Sequence, residues 1–364
     1  MVKCIRIFWV LFFSLAAYAG QQSIQDYADQ CNKLIGTPVL PFNCDEGEEV
    51  PVEHYTNPDP NKYGSGTCDR PNQLNLLCDP GSKFQVLFNN DDAYAVAHCR
   101  KKGGNGNGIF KKDSNGNLTR DPVDSLYGDI AVIQHNKKNG VTCFYQSHVR
   151  ENGVNMLDGS KVQAPNSHST LSFWEPPSTS CVTCHDSAAI IRSPYLAQLS
   201  GQAGKPPLPW LNPDGTQNTR FNDKDSPYNF TGDVFKNIVV KSVHIDNNQC
   251  VNCHNMGVEH SSTDFGLRSV GLVSMGAKTP VSDASPLWMP YPPPTRQSDH
   301  CDLNVNDAQC KQQKDAQAIS DCARGLSTDI TCKISDRGRY IPPPTESSVG
   351  RSRYLAPIIN YILN

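Results

Sequence analysis

The chain is organised around Cys181-Val182-Thr183-Cys184-His185, which is repeated as Cys250-Val251-Asn252-Cys253-His254. Two thiols three positions apart, followed at once by a histidine, are typical of covalent attachment of a c-type haem. Each thiol forms a thioether with one vinyl group, and the imidazole binds the iron. On a helical turn both cysteines share one face, so their sulfurs can reach the same porphyrin edge. The sequence therefore predicts two haems as cofactors, with these anchoring cysteines and proximal histidines: Cys181, Cys184, His185, Cys250, Cys253 and His254.

Two other uses of paired cysteines fit the sequence less well. A thioredoxin-like redox site has an aromatic residue immediately before its first cysteine, inside a βαβ pattern. Here Trp174 lies seven residues before Cys181, behind Glu175-Pro176-Pro177. A zinc ribbon separates its two CxxC knuckles by about 15 to 20 residues, far fewer than separate these two motifs. The spacing therefore favours haem over zinc or thiol chemistry.

The amino terminus predicts export. Residues 1–19 combine Lys3 and Arg6 with an apolar run over residues 7–17 and small residues at Ala17 and Ala19, which is typical of a signal peptide cleaved after Ala19. The apolar run is too short for a membrane span of about 20 residues. Removing both cations changes the formal charge from -3 to -5, and this argues against nucleic acid as a partner, because nucleic acid requires a basic face. We expect a periplasmic, secreted or surface protein of a bacterium, without a membrane span.

The cysteine count supports the same compartment. Of 15 cysteines, Cys4 leaves with the signal peptide and four bind haem, so ten remain. An even number in an exported chain predicts up to five disulfides, whose connectivity the sequence leaves open. Three candidate pairs are close in sequence: Cys68 with Cys78, Cys301 with Cys310, and Cys322 with Cys332. A fourth candidate, Cys99 with Cys143, could join two predicted strands.

Patterning divides the mature chain into three parts and predicts an α+β fold. Residues 20–163 contain apolar or alternating runs at 84–88, 129–133 and 140–145, which predict a β-rich domain stapled by disulfides. Residues 164–299 change to short helices and proline-rich loops, and we interpret them as a dihaem cytochrome c-like region. A strand is predicted over 235–244. Residues 300–364 form a cysteine-containing tail with a helix predicted over 307–324, ended by Gly325.

Two smaller features carry local predictions. Ser193-Pro194 begins a short helix, with Ser193 as N-cap, and this helix is expected to cover the first haem with Tyr195, Leu196 and Leu199. Phe173 and Trp174 would pack on the other side, or simply be buried in a core. Residues 113–121 place oxygen side chains at alternate positions, as a calcium loop does. Leu118 stands where an EF-hand requires glycine, so a plain Asn-Gly hairpin turn is the stronger interpretation and bound calcium the weaker one.

The sixth iron ligands decide the chemistry, because two strong protein ligands favour electron transfer and an open position favours reaction with a small molecule. For the second haem the best candidate is Met289, which precedes a proline 35 residues after the motif, as in small class I cytochromes c. His244 is the one histidine between the two motifs and is a candidate for the first haem. The alternatives are an open site or a ligand from upstream: His148, Met156 or His168.

Several stretches resemble one family. Phe173-Trp174-Glu175-Pro176-Pro177, the first haem motif with Asp186 after it, and Ile191-Arg192-Ser193-Pro194-Tyr195-Leu196-Ala197-Gln198 are similar to exported bacterial dihaem cytochrome c-like proteins. Residues 41–44 and 140–146 resemble the amino-terminal region of the same group. The resemblance spans about residues 36–290. It implies haem attachment and no settled reaction.

The leading hypothesis is an exported dihaem cytochrome that relays electrons between redox partner proteins. An oxidoreductase acting on peroxide or a sulfur compound is the alternative if the first haem has an open sixth position, and no catalytic residue can be assigned from the sequence. A third hypothesis is a cell-surface binding module, in which the β-rich domain contacts the partner and the haems are accessory.

Overall fold

The computed structural model describes residues 22–57, 66–72, 77–101, 110–112, 118–120, 125–148, 157–167, 173–191, 193–212, 214–216, 218, 221, 226–253, 255–270 and 308–343. The predicted signal peptide lies outside this part of the chain. The α-helices are α1 (Ile24–Ile35), α2 (Ser180–Cys184), α3 (Pro194–Ala197), α4 (Gln249–Cys253), α5 (Gly266–Ser269) and α6 (Ala308–Ala323). A π-helical segment covers Ser261–Phe265, and 3-10 turns cover Cys44–Glu46, Gly159–Lys161 and Asp233–Phe235.

The strands, in chain order, are β1 (Glu48–Glu49), β2 (Lys83–Asn89), β3 (Ala93–Arg100), β4 (Phe110–Lys112), β5 (Leu118–Arg120), β6 (Leu126–Tyr127), β7 (Asp129–Asn136), β8 (Val141–His148), β9 (Leu157–Asp158), β10 (Asn229–Phe230), β11 (Val239–His244), β12 (Met256–Gly257) and β13 (Lys333–Arg339). Sheets and helices therefore occur together, which confirms the predicted α+β class. The three strands predicted in residues 20–163 and the strand predicted before the second motif are present as β2, β7, β8 and β11.

The main sheet has six strands in the order β1-β2-β3-β7-β8-β10. Neighbouring strands are antiparallel, except that β10 is parallel to β8. The turn between β7 and β8 contains Gly140 at φ 76°, a left-handed conformation that glycine adopts without steric cost. This is the Asn139-Gly140 turn that the sequence predicts. Successive side chains of each strand point to opposite faces of the sheet, so each face carries its own set of side chains.

One face packs against α1. Ser23 caps this helix by accepting from the Asp26 backbone N–H, and Gly36 ends it in a left-handed conformation. The Tyr27 ring is fully buried, and its hydroxyl accepts a hydrogen bond from the backbone N–H of Phe144 at 3.1 Å. The disulfide between Cys31 and Cys143 joins the helix to the sheet. Burial of the apolar side of α1 thus covers the back of the sheet.

The opposite face, which we call the front face, packs against the segment that contains the first motif. Cross-strand pairs place three short rows on it: Val96 with Ile133 and Phe144; His98 with Ala131 and Gln146; Arg100 with Asp129. Residues opposite each other in an antiparallel pair point to the same side. The buried core around this sheet runs from Ile24 to Val240, so it draws on both the predicted β-rich domain and the predicted haem region.

Four disulfides are formed within the described residues. Cys68–Cys78 and Cys322–Cys332 confirm the two local predictions. The predicted Cys99–Cys143 pair is wrong, because Cys99 bonds to Cys44 and Cys143 to Cys31. The two residues lie on β3 and β8, which are separated by β7, and Cys143 is four positions along β8 from the residue level with Cys99. That places them roughly 15 Å apart, too far for a bond. The predicted partners Cys301 and Cys310 lie outside the described side chains.

A second, smaller unit surrounds the second motif. Strands β12, β11 and β13 form an antiparallel sheet, and α6 packs against it and against α4. Helix α6 confirms the helix predicted at 307–324, and Gly325 follows it at φ 70°. The core of this unit is small: Val243, Ile245, Val251, Ile319 and Cys322. Among the described helices, none has the length and apolarity that crossing a bilayer requires.

Candidate functional site

A cavity of about 300 Å³ lies between the front face of the main sheet and the first motif. Its wall includes Cys181, Cys184 and His185, the three residues that the sequence assigns to the first haem. The rest of the wall is mainly apolar, with Phe144, Leu196 and other side chains from β3, β7 and α3. The fold therefore brings both predicted anchors and the predicted proximal ligand to one apolar pocket.

Helix α2 produces this convergence. It is a single turn, and at its end the His185 N–H donates to the Cys181 carbonyl oxygen at 2.8 Å. The cysteines are three positions apart, so they lie on the same side of the turn. The Tyr228 hydroxyl donates to the His185 carbonyl at 2.5 Å and fixes the backbone just after the second cysteine. The motif is thus held from both ends, with its functional side chains directed to the cavity.

The two thiols lack the lowered pKa that redox-active cysteines have. Neither forms a disulfide, although they are close in sequence. Burial raises the pKa of Cys181 to about 11, and burial also raises the pKa of Cys184. Reactive thiols in thioredoxin-like sites have lowered pKa values. This pair is therefore two neutral, half-buried thiols at the edge of an apolar cavity, which suits thioether formation better than disulfide exchange.

His185 is a buried neutral imidazole. Its ring stacks near Phe144, with ring centroids 5.1 Å apart. Burial and, less strongly, the nearby Arg100 cation lower its pKa to about 4, with the backbone of Ala189 and Ala188 partly opposing the shift. Its Nδ1 atom is buried, and no described residue forms a hydrogen bond of standard geometry with it. A neutral imidazole is the form that binds metals, so the side chain fits an axial iron ligand.

Asp186 ties the first motif to the chain that follows the second. Its carboxylate is 1% exposed and accepts hydrogen bonds from the backbone N–H of Glu259 at 2.8 Å and of Ser261 at 3.2 Å, and from the Ser261 hydroxyl. Gly257 packs so closely that a Cβ there would overlap the carboxyl group of Asp186. The π-helical segment that begins at Ser261 then places Phe265 in the wall of the first cavity. The two motif regions are therefore in direct contact.

The second motif is described in part. Cys250 lies at the start of α4, is partly buried, and packs against the small core that contains the Cys322–Cys332 disulfide. The side chain of Cys253 and all of His254 lie outside the described residues. So do the predicted ligand Met289 and the upstream candidates Met156, His168 and the side chain of His148. Predictions for these residues remain predictions.

His244 is described and lies away from the first cavity. It ends β11, its side chain is 47% exposed, and its Nε2 atom is 3.1 Å from the Asp246 carboxylate. It does not contribute to the cavity wall. The structure therefore places this predicted ligand on the surface of the smaller unit, beside an acidic partner.

Helix α3 forms as the sequence predicts. Ser193 caps it by accepting from the Leu196 N–H, and Pro194 is its first residue. Tyr195 and Leu196 reach the cavity wall, whereas Leu199 is buried in the core outside it. Trp174 contacts Tyr145 behind the sheet, with centroids 6.3 Å apart, which agrees with core burial, the alternative interpretation of this residue.

Three polar residues of the wall were not predicted from the sequence. His98 and Arg100 come from β3 and Gln146 from β8, all on the front face. Arg100 forms an ion pair with Asp129 at 2.8 Å, and both side chains are at most 5% exposed. The alternation of Tyr94-Ala95-Val96-Ala97-His98-Cys99-Arg100 shows that His98 and Arg100 share a face. It does not show that this face turns toward the first motif.

The acidic loop predicted as a hairpin or calcium site lies between two short strands. β4 and β5 pair antiparallel, with Phe110 opposite Arg120 and Lys112 opposite Leu118. This is the hairpin that the sequence favoured, and residues 113–117 and 121–124 lie outside the described chain. Within the described residues, no cluster of three or more histidine, cysteine or acidic side chains is placed to hold a metal ion.

Comparison with known proteins adds no assignment to this geometry. No family model, no curated protein and no solved structure matches the chain. The resemblance to dihaem cytochrome c-like proteins thus remains a prediction from the sequence motifs, and the functional argument depends on the cavity and its residues.

Proposed function

We propose that this chain is an exported dihaem c-type cytochrome that passes electrons between redox proteins. The observation that carries the proposal is the convergence of Cys181, Cys184 and His185 on one apolar cavity. A covalent haem needs two thiols on one side of a turn and an imidazole beside them. The front face of the sheet supplies the apolar surroundings that a porphyrin requires.

Each residue of the first site has a definite task in this proposal. Cys181 and Cys184 would form the two thioethers, and His185 would bind the iron from one side. When bound, the haem supplies a one-electron couple whose potential depends on the axial ligands, nearby charges and burial. Phe144 and Leu196 would exclude water from the macrocycle, and the buried ion pair of Arg100 with Asp129 would lie near it.

The second motif supports a relay rather than a single centre. Asp186 follows the first motif directly and is hydrogen-bonded to the segment just after the second. The segments that follow the two motifs are therefore in contact, and this contact supports electron transfer between the two proposed haems. Cys250, Cys253 and His254 would hold the second haem, with Met289 predicted as its sixth ligand.

The disulfides agree with export. Four are formed within the described residues, and disulfides persist in the oxidising space outside the cytoplasm. Attachment of c-type haem in bacteria takes place in the same space. A soluble or surface-bound partner that donates or accepts electrons would complete the proposed function.

The test measures the cofactor directly. The full chain, with its signal peptide, would be expressed in a bacterium that matures c-type cytochromes, and analysed by intact mass and by a pyridine haemochrome spectrum. We expect two haems per polypeptide that stay attached in acidified acetone. A mass equal to that of the polypeptide, or colour that is extracted by the acid, would overturn the proposal and return the four cysteines to other chemistry.

A further inference from the structure

We propose that His98 is the sixth ligand of the first haem iron, opposite His185. The inference rests on the proposed function, because it needs a haem at this cavity. It goes beyond the sequence motifs, which place no ligand on β3. It also makes a definite statement about chemistry, since two imidazole ligands leave no open position for a substrate.

His98 and His185 line the same cavity from different parts of the fold. His185 ends the motif helix α2, whereas His98 lies near the end of β3 in the sheet. The His185 ring contacts the front face at Phe144 on β8. Strand β7 separates β3 from β8, so the strand that carries His98 lies two strand spacings, roughly 10 Å, from the strand that His185 contacts. The two histidines therefore reach the same cavity from different parts of the front face.

The sheet leaves room beside His98. Directly opposite it on β7 is Ala131, and Gln146 follows in the same row on β8. Ala131 is the smallest side chain in the part of the front face that lines the cavity, while Val96, Ile133 and Phe144 fill the next row. A planar group held by α2 could thus extend over Ala131 toward the imidazole. The row that contains His98 thus has the smallest side chain, Ala131, directly beside the imidazole.

Neighbouring rings hold the orientation of His98. Its ring centroid is 6.0 Å from that of Phe84, its partner on β2, and 5.7 Å from that of the fully buried Tyr195 on α3. An imidazole packed between two aromatic rings loses little further freedom when it binds a metal, which favours ligation. Packing of this kind would also occur around an ordinary core histidine, so the placement at the cavity is the stronger observation.

No other described side chain competes for this role. Among the described residues that form the cavity wall, only His185 and His98 offer the imidazole or thioether groups that usually bind haem iron in electron-transfer proteins. His244 lies outside the wall and is 47% exposed. Arg100 reaches the wall but, as a guanidinium already paired with Asp129, it does not bind metals.

The test uses the spin state of the ferric holoprotein. The wild-type chain, His98→Ala and His98→Met would be compared by absorption and electron paramagnetic resonance, with haem content checked by pyridine haemochrome. We expect two low-spin haems in the wild-type chain. In His98→Ala, half of the haem should become high-spin and should return to low-spin when imidazole is added. In His98→Met, that haem should stay low-spin, gain a methionine-to-iron charge-transfer band and shift to a higher potential.

Two further variants separate His98 from other histidines. His135→Gln removes a buried histidine from β7 on the same face, outside this cavity wall, and should leave both haems low-spin. His244→Ala removes the ligand that the sequence suggested, and it should also leave the spectrum unchanged. If His244→Ala, and not His98→Ala, produces the high-spin haem, the inference is overturned.

The failure of this inference differs from the failure of the proposed function. A protein with two covalent haems whose spin states do not change in His98→Ala retains the proposed function and rejects His98 as a ligand. A wild-type protein with one haem already high-spin, and shifted by cyanide, rejects His98 and favours an enzyme. A protein without covalent haem rejects both statements. If His98→Ala does not fold, the charge-transfer band and potential of His98→Met decide the question.

Discussion

The same pentapeptide stands in two different surroundings in this chain. The first motif lies on a six-stranded sheet whose core runs from Ile24 to Val240, and its cysteines and histidine face a formed cavity. The second motif lies on a three-stranded sheet whose core has five fully buried members, one of them the disulfide-bonded Cys322. The chemistry predicted for the two motifs is identical, whereas the scaffolds differ greatly in size.

This difference indicates how a chain with modest apolar content would hold the two proposed haems. The first site is supported by a sheet that is covered on both faces and stapled by Cys31–Cys143 and Cys44–Cys99. The second site depends on one helix, one local disulfide and the contact of the segment that follows it with Asp186. Regions with few buried contacts open more readily than large cores. We therefore expect the first site to be rigid and the second to be conditional on its neighbours.

The largest expected effect comes from removing either pair of anchoring cysteines. Cys181→Ala/Cys184→Ala and Cys250→Ala/Cys253→Ala should each leave one covalent haem per chain, as measured by pyridine haemochrome and intact mass. The first variant should also lose more thermal stability, because it empties a cavity of about 300 Å³ inside the large core, at a cost on the order of 5 kcal/mol. Equal melting temperatures for the two variants would contradict the proposed difference between the sites.

The second prediction compares two disulfides of matched loop length. Cys68–Cys78 and Cys322–Cys332 each close a separation of 10 residues, so removing either should cost roughly 3 kcal/mol of unfolding free energy by loop entropy alone. Only Cys322→Ala/Cys332→Ala should change the spectrum and potential of the second haem, because Cys250 and Cys332 both pack against the small core that contains Cys322. Denaturant unfolding measures the first effect and voltammetry the second. A change in the spectrum or potential of the second haem in Cys68→Ala/Cys78→Ala would contradict this difference between the two disulfides.

The third prediction concerns the contact between the two regions. Asp186→Ala removes a buried acceptor of bonds from the Glu259 and Ser261 backbone, and it should destabilise the chain by about 2 kcal/mol. Gly257→Ala should have a similar effect, since its new Cβ would overlap Asp186. Hydrogen exchange should become faster at residues 257–265 and stay unchanged in β7.

The matched control for this contact is Asp233→Ala. That carboxylate is 53% exposed and forms an ion pair with Lys236 three residues along the chain, and exposed pairs of this kind contribute about 0 to 1 kcal/mol. If Asp233→Ala and Asp186→Ala cost the same, the contact between the motif regions has no special role.

Local patterns in the sequence were sufficient for the elements that depend on local physics. Alternation predicted β2, β7 and β8, the capping pair Ser193-Pro194 predicted α3, and spacing predicted the short disulfides. The motif itself predicted which residues share a site, because a helical turn fixes their relative positions. These features need no knowledge of the rest of the fold.

Features that depend on contacts between distant parts of the chain could not be predicted from local sequence patterns. The Cys31–Cys143 and Cys44–Cys99 bridges depend on strand order, and the predicted Cys99–Cys143 bridge failed because β7 lies between its two strands. His98 stands 83 positions before Cys181, and only the packing of α2 on the front face brings it to the cavity. The sequence identifies Asp186 only as the residue that follows the first motif. Its contact with Ser261 depends on how the two regions pack together.

The smallest expected effect is a pH dependence confined to the large sheet. Burial, together with the cations of Lys137 and Arg337, lowers the pKa of His135 to about 3. Its neighbours on the sheet are the Tyr94 ring at 5.0 Å and the Thr142 hydroxyl at 2.8 Å. In the unfolded chain this histidine has an ordinary pKa near 6.5. The unfolded state therefore binds more protons than the folded state between about pH 6.5 and pH 3.

Because the unfolded state takes up the proton, this contribution to stability is complete above about pH 6.5 and falls by roughly 1 kcal/mol for each pH unit below it. His135→Gln should flatten this part of the stability profile, whereas His244→Gln, which changes an exposed histidine of β11, should leave it as in the wild-type chain. Unfolding free energies measured between pH 7 and pH 5 give the slope. Amide exchange in β7 and β8 compared with β11 locates it, and a wild-type slope retained in His135→Gln would mean that His135 is not the source of the acid sensitivity.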